Sequence, residues 1–152
     1  MNDRELIKLA EQARMHAYAP YSRFSVGAAL LTRDGKVYTG CNIENAAFTP
    51  TNCAERTAIF KAVSEGKRDF EAIAVTGGKS GELSAYCAPC GVCRQVLAEF
   101  CEGDFRIILG NAATCCSYRL SELLPASFSG RVLETETNTM QRKGDVTGNE
   151  NV

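Results

Sequence analysis

The chain has 152 residues, 45% of them hydrophobic, enough for one ordinary globular domain that buries roughly 70% of its unfolded surface. Its 17 basic and 18 acidic residues give a net charge of −1, and residues 131–152 hold 3 and 4 of them, so the body is neutral. That balance excludes the broad basic footprint of a nucleic-acid binder and the polybasic patch of a membrane-surface protein, leaving a small molecule as the expected partner.

The charged N-terminus, Met1-Asn2-Asp3-Arg4-Glu5, has no apolar signal region, which leads us to expect a cytoplasmic protein. Residues 3–17 place Leu6, Leu9, Ala10, Ala13 and Ala17 at helical spacing behind an Asn2 or Asp3 cap, with Pro20 closing the helix. Residues 24–32 and 36–41 read as two strands joined by a tight Asp34-Gly35 turn. Their longest apolar run, Val26-Gly27-Ala28-Ala29-Leu30-Leu31, is far short of the roughly 20 residues of a membrane helix. A polar loop, 42–52, leads to a helix over 53–64, stopped by Gly66. Residues 70–76 form a continuous apolar strand, followed by a Gly-rich loop. Pro89 suits the first turn of a helix running to about Cys101. Strands over 105–109 and 115–118 and a short helix over 121–124, ended by Pro125, complete the order. This pattern predicts an α/β fold with one mixed five-stranded sheet and helices on both faces. We expect a single domain over 1–130 and a disordered tail over 131–152, where apolar residues are too scattered to offset ordering entropy.

Eight cysteines call for a reason. A disulfide framework is unnecessary in a chain this size and disfavoured in a reducing compartment. Cys41, Cys101, Cys115 and Cys116 read as small buried hydrophobes. Cys53, Cys90 and Cys93 differ, because Cys53-Ala54-Glu55 and Pro89-Cys90-Gly91-Val92-Cys93 both fall at predicted helix starts, where the macrodipole and free amides favour thiolate. The Cys-x-x-Cys spacing lets two sulfurs face one zinc ion, Cys53 adds a third, and a fourth position stays open for water. A carboxylate two residues after a ligand can touch that water, which a purely structural site would not require. The signature of zinc deaminases has this arrangement: a His or Cys ligand, one residue, a non-ligating Glu, and later Pro-Cys-x-x-Cys. The alternative is a closed structural site in which Cys87 supplies a fourth sulfur, since Cys87-Ala88-Pro89-Cys90 is also Cys-x-x-Cys.

Beyond these motifs, Ala19-Pro20-Tyr21-Ser22 with Phe24, Val26 to Leu30, Cys41-Asn42-Ile43-Glu44-Asn45-Ala46, Arg56, Arg94-Gln95, and Leu123-Leu124-Pro125 with Phe128 complete a match over roughly residues 5–130. On these residues the chain resembles the small, homotetrameric, zinc-dependent cytidine deaminases of nucleoside salvage. The resemblance implies a three-layer cytidine-deaminase-like fold, one zinc per chain on Cys53, Cys90 and Cys93, and Glu55 as proton shuttle. It further implies Asn42 and Glu44 on the ribose, Phe24 against the base, Ala54 at the substrate, and Phe128 entering from another subunit of a homotetramer. Phe48 stands where the family often has Tyr, so a hydroxyl is missing there.

Taken without the resemblance, Asn42 and Glu44 read equally as a polar turn, Phe24 as core and Phe128 as a seal on its own core. His16, the lone histidine, reads as a surface residue. Arg56 is either a solvated arginine or a donor to ligand sulfurs that offsets the excess negative charge of three thiolates. The expected reaction is hydrolytic deamination of cytidine and deoxycytidine. Its rivals are a nucleic-acid-editing deaminase, a deaminase of another small molecule such as a blasticidin-type antibiotic, and a zinc-stapled binding module. The neutral body counts against the first rival and the Asn-x-Glu pair against the second.

Overall fold

The structure, a computed structural model, describes residues 1–84 and 86–133. Among these, α1 (Asp3–Arg14) precedes β1 (Phe24–Thr32) and β2 (Val37–Cys41). Then come α2 (Ala54–Ser64), β3 (Phe70–Lys79), α3 (Gly91–Phe100), β4 (Arg106–Gly110), β5 (Cys115–Arg119) and the one-turn α4 (Leu120–Leu123). The strands form one sheet in the order β2-β1-β3-β4-β5. Only the β3–β4 pair is parallel, with α3 as its crossover, so the sheet is mixed as expected.

Alternation along the strands builds three layers. Ala28 and Leu30, Ile73 and Val75, and Ile107 and Leu109 face the core shared with Ala58 and Ile59 of α2 and Leu97 of α3. The intervening Ala29, Leu31, Ala72, Ala74 and Ile108 face Leu6, Ile7 and Ala10 of α1. Alanines on that side let α1 lie close to the sheet. A capping box starts α1, with Asn2 Oδ1 accepting from the Glu5 amide and Glu5 Oε2 from the Asn2 amide, both at 2.9 Å.

Several boundaries differ from the sequence reading. The first helix ends at Arg14 rather than at residue 17, because the amides of Met15, His16 and Ala17 bond three residues back and Tyr18 is drawn into a bridge with Ile43. The third strand runs on to Lys79, through the segment expected as a Gly-rich loop. There, glycine makes room: a Cβ on Gly77 would lie 2.7 Å from the Cys87 sulfur, and one on Gly78 2.1 Å from the Glu82 carbonyl. Pro89 stands outside α3, since Cys90 is the N-cap. Of the four cysteines expected to be buried, Cys41, Cys101 and Cys115 are half-buried and Cys116 is exposed, on the edge strand β5. Residues 130–133 form a helical turn, so the tail begins with some structure, and 134–152 lie outside the described residues. No helix among the described residues is long and apolar enough to cross a membrane.

Gly40 sets how α2 meets the sheet. A Cβ there would come within 2.5 Å of the Ala54 carbonyl and 2.6 Å of the Ala58 amide nitrogen, so the first turn of α2 rests directly on the β2 backbone. This turn carries Cys53, Ala54 and Glu55.

Candidate metal centre and active site

Cys53 is the N-cap of α2, and Cys90 is the N-cap of α3 with Cys93 one turn on. The Cys90 sulfur accepts from the Cys93 amide at 3.4 Å. Cys53 Sγ lies 3.8 Å from Cys90 Sγ, which lies 3.5 Å from Cys93 Sγ, and all three sulfurs fall within 4.8 Å of one another. Sulfurs sharing one tetrahedral zinc at about 2.3 Å stand about 3.8 Å apart, so the donor set and its spacing fit zinc. Among the described residues this group leaves out Cys87, whose sulfur packs against Gly77 beside the Phe24 ring. The closed four-cysteine arrangement is therefore not formed.

Electrostatics favour negative charge on Cys53. A hydrogen bond from the Cys93 thiol brings Cys53 down to about 5, with Arg56 and Cys90 assisting against burial. The same hydrogen bond and burial push Cys93 upward. Arg56 Nη2 reaches Cys53 Sγ at 3.4 Å. Glu55 is 4% exposed, and burial pushes its carboxyl up to about 7, with the Cys53 sulfur adding to the effect. Burial likewise raises Cys87 to about 11, and the Glu55 charge adds to it.

Ala54 is fully buried under the first turn of α2. Asn42 is held by β1: Nδ2 donates to the Phe24 carbonyl and Oδ1 accepts from the Val26 amide, both at 2.8 Å. Among the described residues, one Nδ2 hydrogen and one lone pair are left without a partner. Glu44 accepts from the Tyr21 amide at 2.8 Å and from the Ser22 amide and hydroxyl, bonds that hold its carboxyl below its usual range. Of about four acceptor positions on a carboxylate, these bonds among the described residues leave one. Asn42 and Glu44 thus brace the segment leading to half-buried Phe24, a structural task the polar-turn reading did not reveal. Phe48 is 72% exposed, edge-on to Tyr21 at 6.1 Å. Phe128 is 62% exposed, while its carbonyl is held by Gln95 Nε2 at 2.9 Å. His16 is exposed, as expected.

Sequence reasoning missed Thr57, whose hydroxyl reaches both the Cys41 and the Cys53 carbonyls, and saw Arg94 only as part of the match, without its task of tying the Pro89 carbonyl at 2.7 Å to the Leu123 carbonyl at 2.6 Å. A polar residue one turn after a ligand on a helix start is the signal that was available.

The layer order and the sulfur trio beside a buried glutamate define a zinc hydrolase of the deaminase class. Residues 1–109 match the family model for the cytidine and deoxycytidylate deaminase zinc-binding region. A cytidine deaminase of Sporosarcina psychrophila is 52% identical over 130 residues, covering 85% of this chain and 93% of that protein. One from Halalkalibacterium halodurans is 54% identical over 130 residues, covering 85% and 96%. The crystal structure of a cytidine deaminase from Burkholderia pseudomallei superposes with a TM-score of 0.77 at 47% identity, covering 84% of this chain and all of that one. The chain belongs to the cytidine deaminase family of zinc-dependent hydrolases.

Proposed function

We infer that the chain hydrolyses cytidine and deoxycytidine to the uracil nucleosides and ammonia, as a pyrimidine-salvage enzyme of the cytoplasm. The observation that carries this reading is the buried Glu55 carboxyl two residues after Cys53 in a trio of sulfurs spaced for zinc. Cys53, Cys90 and Cys93 would hold the ion, which when bound acts as a Lewis acid that makes water nucleophilic at neutral pH. Glu55 takes a proton from the attacking water and delivers it to the ring nitrogen beside the amine-bearing carbon, and a further proton leaves with the departing amine. Water supplies the new oxygen, and its two hydrogens are shared between product and ammonia. Asn42 and Glu44 use their remaining hydrogen-bonding positions on sugar hydroxyls, Phe24 packs against the base and the helix turn that carries Ala54 borders the substrate. Arg56 offsets the excess charge of three thiolates. Phe128 closes the site of a neighbouring subunit in a homotetramer, and the deaminase domain spans residues 1–130.

Ultraviolet absorbance on cytidine and deoxycytidine, with adenosine and a cytosine-containing oligonucleotide as controls, tests the reading. Loss of absorbance with both nucleosides and neither control is expected. Turnover of the oligonucleotide without cytidine would overturn the substrate assignment. A Bacillus cereus blasticidin-S deaminase is also 31% identical over 131 residues, so that antibiotic belongs in the same panel.

A further inference from the structure

Thr57 stands one turn into α2, and its hydroxyl meets three residues on two stretches of the chain. Oγ1 lies 3.0 Å from the Cys41 carbonyl at the end of β2 and 3.1 Å from the Cys53 carbonyl at the helix N-cap. It accepts from Asn52 Nδ2 at 3.0 Å. A bond to the carbonyl four residues back is an ordinary habit of helical threonine. Asn52 lies just before the same helix, while Cys41, 16 residues back, is the distant partner. Cys41 immediately precedes Asn42, and Asn52 immediately precedes Cys53. The same two stretches are joined through the main chain, where Ile43, lying between Asn42 and Glu44, exchanges both amide hydrogen bonds with Asn52 at 2.9 Å. With Gly40 allowing α2 to rest on β2, the hydroxyl sits where the strand end meets the metal helix.

We propose that Thr57 is a positioning residue that fixes the register between the sugar-side residues Asn42 and Glu44 and the chemical residues Cys53 and Glu55. The distance from sugar to reacting ring is set by the nucleoside itself, so the two sets of residues must be held at a matching separation. A misplacement of about 1 Å in such an arrangement can cost about 10²-fold in rate. Losing the hydroxyl leaves the Cys41 carbonyl and the Asn52 amide without this partner and frees the strand end to shift. The proposal rests on the roles inferred above for Asn42, Glu44, Cys53 and Glu55.

Thr57→Val keeps the side-chain shape and removes the hydroxyl, whereas Thr57→Ser keeps the hydroxyl. Kinetics on cytidine, metal content, melting temperature and the thiolate-to-metal charge-transfer band of the cobalt-substituted proteins are measured on both. For Thr57→Val we expect one metal per chain, a raised KM, a kcat/KM lowered by about 10-fold or more, and a shifted cobalt band. Thr57→Ser should stay within about twofold of wild type. Wild-type kinetics and an unshifted band in a folded Thr57→Val protein would overturn the proposal. So would equal losses in both variants, or a lowered melting temperature alone. If Thr57→Val does not fold, Asn52→Ala removes one partner and should move KM and the cobalt band in the same direction, and no change there would also overturn it. Failure of wild type to turn over cytidine would instead defeat the functional reading, and the cobalt band would still decide whether Thr57 places Cys53.

Discussion

Arg56 Nη2 lies 3.4 Å from the sulfur of Cys53, three residues back on the first turn of the same helix. Both Cys53 and Cys93 draw on this guanidinium. Three thiolates on one zinc ion leave a net negative centre, and a cationic donor on a ligand sulfur withdraws part of that charge. Arg56→Gln should therefore change zinc affinity or turnover by about 10-fold or more, as outer partners of metal ligands do, with folding intact. Zinc release to a chromogenic chelator and kinetics on the same sample check this. Wild-type values for both would show that the contact between Arg56 and Cys53 does not tune the metal centre.

Glu55→Gln should keep about one zinc per chain and lose about 10²-fold or more in turnover. The amide fills the same buried space and contacts no fewer atoms, but it cannot take up a proton and give it back. Metal analysis beside kinetics separates the two effects. Near wild-type turnover would defeat the role given to Glu55.

Cys87→Ala should retain about one zinc per chain and most of the activity, because three thiolates and water already complete a tetrahedron. The structure gives a second reason: the Cys87 sulfur packs against Gly77 and Phe24 rather than joining the trio. A modest change in KM through Phe24 is compatible with this role, whereas loss of metal is not.

How far the sequence could be read depended on whether a feature was local. The sulfur trio was legible because each ligand sits at or just after a helix start, and Cys-x-x-Cys and Cys-Ala-Glu are short-range patterns. The alternating faces of Ile73, Ala74 and Val75 were legible as a buried strand. What escaped was set by chain segments far apart. Nothing local to Gly77 and Gly78 says that Cys87 and Glu82 press on them, so a strand was read as a loop. The anchoring of Asn42 on Phe24 and Val26, and of Glu44 on Tyr21 and Ser22, spans up to 23 residues and has no periodic signature. Cys116 reads as buried from its composition, yet its place on an edge strand exposes it.

Gly40→Ala tests the docking of α2 on β2. The added methyl would meet the Ala54 carbonyl and the Ala58 amide, both backbone atoms that move only with the helix. Overpacking of this kind costs about 1–3 kcal/mol. The melting temperature should fall, and because the displaced turn carries Cys53 and Glu55, kcat should fall with it. An unchanged melting temperature would show that the helix lifts away without cost. A lowered one with full activity at low temperature would show that the site tolerates the shift.

The role proposed for Phe128 would link assembly to catalysis. The residue is 62% exposed, so it does not seal its own core, while its carbonyl is fixed to Gln95 on α3, the helix that carries Cys90 and Cys93. Arg94 fixes the Leu123 carbonyl to the same helix. A large apolar ring presented on a fixed backbone suits insertion into a neighbouring chain, where excluding water from the pyrimidine strengthens the electrostatics of the site. Among the described residues beyond it, Arg131 pairs with Glu102 on the surface, with 69% of each side chain exposed, and such a pair adds about 0–1 kcal/mol. Truncation after Gly130 should therefore leave activity and assembly intact. Phe128→Ala should weaken nucleoside binding by roughly 1–3 kcal/mol through lost stacking. Sedimentation velocity and kinetics on both variants and on wild type test the set, with a tetramer expected for wild type. A fully active monomer, or a Phe128→Ala enzyme with unchanged KM, would show that each site is built from one chain.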